Sequence, residues 1–315
     1  MAKILVTGGA GFIGSHISAA LRAQGDDVVV LDDMSTGHER NLEAIGDGVR
    51  FVRGSVTDPS AVADAIEGCD HVFHEAALAS VPRSIDDPQA NNAANVTGTL
   101  NVLVAARDAG VKRLVYAASS AAYGDSETLP KVETMATNPK SPYAIAKLAG
   151  EHYVSVFASV YGMQTLAIRY FNVFGPRQDP DSPYAAVIPL FIDALLDGRP
   201  PTIHGDGEQS RDFTYIDNVV EANLRALTAP KLSGETVNVA LGDRTSLNQL
   251  YGWLREIIGT DLEPVHGAPR AGDVKHSQAD IGRAQALLGY ETKVSVAEGL
   301  ARTVEWYREF REGRA

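Results

Sequence analysis

The apolar run ILVT, residues 4–7, leads directly into GGAGFIG, residues 8–14, and the amphipathic stretch SHISAALRAQ follows. Few folds accept a strand, a turn with glycines at 8, 11 and 14, and a helix in such tight succession. Glycines at those places let the turn close, and they let an anion approach the first helical amides, which have no partner within the helix. The pattern alone is a weak signal, and a glycine-rich structural turn is its bland reading. The next segment changes the balance. VVVLDD, residues 28–33, reads as a second strand ending in Asp32 and Asp33. A carboxylate there accepts hydrogen bonds from an adenosine ribose and repels a 2′-phosphate, so the expected ligand is NAD rather than NADP. Phe12 and Ile13, in the first turn of the helix, complete the expected cradle with Gly8, Gly11 and Gly14.

The same alternation continues. KILVT, VVVLD, RFVRG, HVFHEA, RLVYAAS and TLAIRYF read as strands. The helical patterns between them include PSAVADAIEG, NVTGTLNVLVAARDAG and SPYAIAKLAGEHYVSVFASVYG. Strands alternating with helices predict an α/β fold, a Rossmann-like doubly wound parallel sheet. Past residue 171 the rhythm loosens into Pro- and Gly-rich segments, then two more helical patterns, SLNQLYGWLREIIG and VAEGLARTVEWYREF. The expected division is a NAD-binding domain of 1–171 plus about 213–230. A smaller α/β substrate-binding lobe takes 172–212 plus about 231–315.

Charge narrows the partners. The formal net charge is −12 and no block of Lys or Arg offsets it, so neither nucleic acid nor a membrane surface is an expected partner. The one cysteine, Cys69, leaves no intrachain disulfide framework. No signal-peptide pattern or long apolar run appears, and the expected location is cytoplasmic. No His, Cys, Asp or Glu cluster has metal-ligand spacing, so no metal is expected. His74, at a strand end, and Trp253 and Trp306, among apolar neighbours, read as structural.

RLVYAASSAAYGD places Ser119 and Ser120 at a strand's carboxyl end, where doubly wound folds form their ligand crevice. SPYAIAK then offers Ser141 as a helix cap, Pro142 at the first helical position, and Tyr143 and Lys147 one turn apart on one face. A packed Tyr and a snorkelling Lys would explain those two letters alone. Together with the serine they make a mechanism. Lys147 would lower the Tyr143 pKa, Tyr143 would take a proton from a substrate hydroxyl, and Ser119 would align the oxygen while hydride leaves the same carbon. Whether Ser119 or Ser120 contacts the reacting hydroxyl stays open.

TGGAGFIG, SSAAYG and YAIAK, with ANNAANVTGT, RYFNVFGPR, GDGEQSRDF and RAGDVKHSQAD, make the chain resemble the extended short-chain dehydrogenase/reductase superfamily over nearly its whole length. Within it the chain is similar to the UDP-sugar 4-epimerases, in particular those acting on N-acetylhexosamines. The resemblance implies that Ala76, Asn95 and Tyr170 lie against the cofactor, with Phe171 beside Tyr170. It implies that Asn172, Arg211 and Arg270 hold a nucleotide diphosphate, with Asp273 on the uridine ribose; paired guanidinium forks suit phosphate oxygens. Ser80, Arg83 and Ser84 of ALASVPRS, and Val187 of YAAVIP, are expected beside the sugar. One departure stands out. The third strand leads into Gly54, Ser55 and Val56 where the family often has an adenine-contacting Asp; the expectation is that this contact is weaker or supplied by Asp58, with Ser55 and Val56 still beside the cofactor.

The resemblance also frames the reaction. Dehydratases and decarboxylases of the branch carry acids near the catalytic serine, whereas Ala121 and Ala122 stand here and transfer no proton. Oxidation and re-reduction of one carbinol is what remains, so the expected activity is NAD-dependent C4 epimerisation of a UDP-hexose through a 4-keto intermediate. Ser277 stands where a bulky Tyr would exclude an N-acetyl group, which favours UDP-N-acetylglucosamine and UDP-N-acetylgalactosamine, with UDP-glucose and UDP-galactose as a second pair. A UDP-glucuronate 4-epimerase, another nucleotide-sugar dehydratase or decarboxylase, and a non-catalytic dinucleotide-binding protein are the alternatives. The apolar faces of NVTGTLNVLVAARDAG and of the helix carrying Tyr143 imply a homodimer.

Overall fold

The structure, a computed structural model, describes residues 1–179, 186–269 and 275–313. Its centre is a sheet of seven strands: β1 (Lys3–Thr7), β2 (Asp27–Asp32), β3 (Arg50–Arg53), β4 (His71–His74), β5 (Arg113–Ser119), β6 (Gln164–Tyr170) and β7 (Glu235–Val239). Their spatial order is β7-β6-β5-β4-β1-β2-β3, and every pairing is parallel. The chain winds outward in both directions from β1, so the ligand crevice expected of such a sheet opens at the carboxyl ends of β1 and β4. The edge strand β7 comes from beyond the 213–230 segment that the sequence reading assigns to the sheet domain.

The longer helices are α1 (Phe12–Ala23), α2 (Pro59–Ile66), α3 (Gly98–Asp108), α4 (Pro142–Tyr161), α5 (Val187–Leu196), α6 (Ile216–Thr228), α7 (Leu247–Ile258) and α8 (Val296–Arg311). Strand side chains alternate between two cores, as the two-residue repeat dictates. Ile4, Val6, Val28 and Val30 pack against Ile17 and Leu21 of α1 and Val219 and Ala222 of α6. Leu5, Val29, Leu31 and Val72 face Val62 of α2, Leu103 of α3, and Val154 and Phe157 of α4. Each fully buried side chain of this size contributes about 1.5–3 kcal/mol. The first core continues through Phe174, Phe191, Leu250, Leu300 and Tyr307, so the segments after residue 171 that carry these side chains join the core on the α1–α6 side of the sheet. Among the described residues, no helix is long and apolar enough to cross a membrane, and no cluster of His, Cys, Asp and Glu could hold a metal.

Helix α4 forms as its ends dictate. The Ser141 hydroxyl accepts from the Ala144 amide at 3.2 Å, Pro142 needs no hydrogen-bond acceptor, and Gly162 closes the helix in the left-handed region at φ 70°. Its buried face carries Glu151, which meets Arg169 of β6 in a two-pronged ion pair of 2.9 and 2.7 Å. Both side chains are at most 5% exposed. Removing one partner of such a pair strands the other charge. Glu151→Ala is therefore expected to destabilise the fold by about 3 kcal/mol in urea unfolding; a loss below about 1 kcal/mol would show that Arg169 finds another partner.

Candidate active site

The turn between β1 and α1 leaves no room for side chains. A Cβ on Gly14 would lie 2.3 Å from the Gly8 carbonyl oxygen, and one on Gly8 would lie 2.6 Å from the Ala76 nitrogen. At Gly11, by contrast, only the Gly8 oxygen lies near, at 3.1 Å, and no side chain caps the helix above it. The first-turn amides at Phe12 and Ile13 therefore face an open concavity with the positive end of α1 behind them, a cradle that fits a pyrophosphate. At the end of β2, Asp32 accepts from the Ala10 amide at 3.0 Å and the Met34 amide at 2.8 Å, which braces the same turn. Burial pushes its carboxyl group upward, and those two amides oppose the shift. Asp33 is exposed beside it and accepts from Ser35.

At the carboxyl end of β5, the Ser119 hydroxyl accepts from the Ala121 amide at 3.2 Å and stands beside the Tyr143 phenol. Lys147 is 3% exposed; its Nζ donates to the Ala117 carbonyl at 2.8 Å and lies 5.0 Å over the Tyr116 ring. Burial pulls the ammonium downward, while the Glu75 and Glu151 carboxylates support it. Burial also pushes the Tyr143 phenol above its ordinary value, Ser119 pulls it back, and Glu75 pushes it further. The sequence reading expects Lys147 to lower this phenol; within the protein itself burial raises it instead, and the opposing pull comes from Ser119.

Ser119, Ser120, Tyr143 and Tyr170 share the wall of a cavity of about 540 Å³ with Ile13, Asn172, Arg211 and Ser277. Arg211 donates to the Ser210 carbonyl at 2.9 Å and the Lys275 carbonyl at 3.2 Å. Next to it, the buried Asp212 carboxylate accepts from the amides of Leu241, Gly242 and Ala279, which fixes the strand that presents Arg211. Asn172 donates to the Asp212 carbonyl at 3.3 Å, and the Ser277 amide donates to the Ser210 carbonyl at 3.0 Å. Among the described residues no carboxylate lines this cavity, and Ala121 does.

Other expected residues have different tasks. Ser84 is fully buried: its hydroxyl donates to the Val81 carbonyl at 2.6 Å and accepts from the Tyr143 amide at 3.1 Å. It holds the backbone of Tyr143 instead of facing the cavity. Ser80 caps the short helix Val81–Asp86 by accepting from Arg83, whose side chain is exposed. Asn95 clasps Leu78 through both its amide and its carbonyl and donates to Asn91 at 2.7 Å, so it fixes the loop after β4. Asp58 caps α2 through Ser60. The Ser55 hydroxyl pairs with that of Thr57, and Val56 is buried against Gly98. Val187 opens α5, half-buried. Arg270 and Asp273 lie outside the described residues.

Two wall or near-wall residues escape the sequence reading. Lys131 is 2% exposed at the cavity and donates to the Ser126 and Thr128 carbonyls. Glu75 follows β4, and the Tyr170 hydroxyl donates to it at 3.0 Å. The signal for Glu75 was present: HVFHEA ends a strand in a carboxylate, at the end where the crevice opens.

A family model described as the NAD dependent epimerase/dehydratase family matches residues 4–240. A UDP-glucose 4-epimerase of Mycolicibacterium smegmatis is 41% identical, over 97% of this chain and 98% of its own. The solved structure of a UDP-N-acetylglucosamine 4-epimerase from Methanobrevibacter ruminantium, in complex with UDP-N-acetylmuramic acid, superposes with a TM-score of 0.94 at 38% identity. It covers 98% of this chain and 99% of its own. A Thermus thermophilus UDP-glucose 4-epimerase in complex with NAD gives a TM-score of 0.89 at 38% identity, over 97% and 99% of the two chains.

The position of Ser84 yields a test that needs no ligand. Ser84→Ala removes the partner of a buried amide, and a loss of about 1–2 kcal/mol in urea unfolding is expected. Unchanged stability would return Ser84 to the substrate side.

Proposed function

Because the chain belongs to the NAD dependent epimerase/dehydratase family, we propose that it is an isomerase that inverts C4 of a UDP-hexose through a 4-keto sugar, preferring UDP-N-acetylglucosamine and UDP-N-acetylgalactosamine. The observation that carries the reading is one cavity in which Ser119 and Tyr143 share a wall with a guanidinium, Arg211, and with no carboxylate among the described residues.

Bound in the glycine cradle, NAD supplies the acceptor and donor of the hydride. The protein's own groups do the rest. Gly8, Gly11 and Gly14 admit the pyrophosphate to the first amides of α1, and Asp32 and Asp33 receive the adenosine ribose. Lys147, held from below by the Ala117 carbonyl, supplies a fixed positive charge beneath the pair of hydroxyls. Tyr143 as the phenolate takes the C4 hydroxyl proton as the carbinol becomes a ketone, and as the phenol it returns that proton as the carbinol re-forms. Ser119 holds the sugar oxygen in line with Tyr143. Turning the 4-keto sugar within the cavity presents its other face, and inversion follows. Arg211 and Asn172 hold the diphosphate that anchors the sugar as it turns.

The acid that a dehydratase or decarboxylase would place after the serine is replaced by Ala121, whose methyl group faces the same cavity. Ser277 supports the acetylated substrate, because its side chain leaves space that a phenol would fill. That space does not reject UDP-glucose, which is the second pair. The reading includes a homodimer, supported by the apolar side chains that α4 exposes at Ile145, Val156 and Val160; a single monomeric species in sedimentation velocity would remove this part.

Incubation of the protein with UDP-N-acetylglucosamine or UDP-glucose, followed by chromatographic separation, is expected to give the C4 epimer from both, faster from the acetylated sugar. Tyr143→Phe should reduce turnover by at least about a hundredfold with the fold intact. Ser277→Tyr should lose the acetylated substrate and retain UDP-glucose. Equal loss of both sugars in Ser277→Tyr would refute the specificity assigned to that residue.

A further inference from the structure

One carboxyl group beside the catalytic pair has no part in the reaction as described. Glu75 is half-buried at the end of β4, next to His74, whose ring is occupied by Thr7 and Thr99. Tyr170 of β6 donates its hydroxyl proton to Glu75 Oε1 at 3.0 Å. The same hydroxyl oxygen accepts from Asn223 Nδ2 at 2.9 Å, and Asn223 Oδ1 lies 3.2 Å from it. Asn223 cannot be turned over, because Nδ2 also donates to the Val219 carbonyl at 2.8 Å. This arrangement accommodates both protonation states of Glu75 without moving a heavy atom. Ionised, the carboxylate accepts the Tyr170 proton; neutral, it donates to the Tyr170 oxygen, whose own proton turns to Asn223 Oδ1. Few buried carboxyl groups have both partners ready.

Tyr170 of β6 touches Glu75, and the other titratable groups that its charge influences come from two more elements: Tyr143 and Lys147 of α4 and Tyr116 of β5. We propose that Glu75 is a positioning residue for the Tyr143–Lys147 pair, its carboxyl group, seated on Tyr170, setting the pH range over which phenol and ammonium act together. The inference rests on the proton-transfer role given to that pair above. The electrostatics agree in sign. Burial pushes Glu75 itself upward, against the Tyr170 hydrogen bond and the charge of Lys147. Its negative charge pushes both Tyr143 and Lys147 upward. Loss of that charge must therefore lower both groups, which no purely structural defect would do.

Glu75→Gln removes the charge and keeps an acceptor for the Tyr170 hydroxyl. Its alkaline limb in the pH profile of kcat, where wild-type Glu75 is ionised, is expected to move toward acid by about half a unit or more. The acid limb should move less, because Glu75 is increasingly protonated there. An ultraviolet difference titration of the Tyr143 phenolate, with Tyr143→Phe as the blank, should show ionisation at lower pH in Glu75→Gln. Glu75→Asp, which retains a carboxylate, should stay near the wild-type curves. A folded Glu75→Gln protein with reduced kcat but both curves unmoved would overturn the proposal. The phenolate titration requires no sugar, so a protein that epimerises nothing yet shows the displaced titration would refute the proposed function while upholding the control of the Tyr143 titration by Glu75.

Discussion

The arrangement depends on keeping one ammonium group charged inside the protein. Lys147 is almost wholly removed from water, and burial pulls its ammonium down to about 8. Its compensation is built from several elements: the Ala117 carbonyl from β5, the Tyr116 ring below, and two carboxylates, Glu75 and Glu151. Glu151 is in turn held by Arg169, whose guanidinium lies 4.6 Å over the Tyr123 ring. The Tyr123 hydroxyl donates to Asn238 at 2.7 Å, and Asn238 donates to the Lys131 carbonyl at 3.0 Å. A continuous set of polar contacts thus runs from the base of α4 through β6 and the edge strand to the cavity wall. Such a network is favourable only when each member is satisfied. Arg169 Nη1 lacks a partner among the described residues and is the weak point of the set.

The candidate groups come together from two strand ends and one helix start. Ser119 follows from the length of β5, Tyr143 from the cap of α4, and Tyr170 from the end of β6. The parallel register places Ser119 opposite Tyr170, so the serine and the tyrosine that receives Glu75 lie side by side. Ser84 then fixes the first turn of α4 from the opposite side, through a bond to the Tyr143 amide. A phenol that must exchange a proton with a substrate oxygen tolerates little displacement, and here both its backbone and the strand facing it are held.

The fold and the chemical centre were legible because their signals are local. A glycine turn between strand and helix, and a Ser-Pro start with Tyr and Lys one turn apart, specify backbone geometry within a few residues. Where the sequence reading and the structure part, the deciding contact is distant or ambiguous in type. Ser84 could face a sugar or a backbone amide, and only the position of Tyr143, 59 residues away, selects the amide. Asn95 has the right residue type for a cofactor contact, yet its side chain clasps Leu78, 17 residues back. Asp58 precedes Pro59 and Ser60, a local helix-start pattern, and its carboxylate caps the helix instead of standing free. Glu75 was hidden for a different reason: a strand-end carboxylate acquires meaning only when Tyr170 and Lys147 arrive from other elements.

The electrostatics of the cavity show how a chain of net charge −12 can serve an anionic substrate. Net charge governs the field far from the molecule, where salt screens it within about 8–10 Å. Inside a crevice with low-dielectric walls, the nearest fixed charges dominate. The described wall carries Arg211 and Lys131 and no carboxylate, so a diphosphate meets positive charge at the depth where it binds. Lys131 spends its hydrogen bonds on backbone carbonyls, which orient the ammonium without cancelling its charge. The carboxylates that support Lys147, Glu75 and Glu151, are not among the described residues that line the cavity. The described wall thus presents Arg211 and Lys131 to the cavity, while the carboxylates that sustain Lys147 are kept off that wall, and this division of charge suits a cavity that must accept an anion beside the Tyr143 phenol.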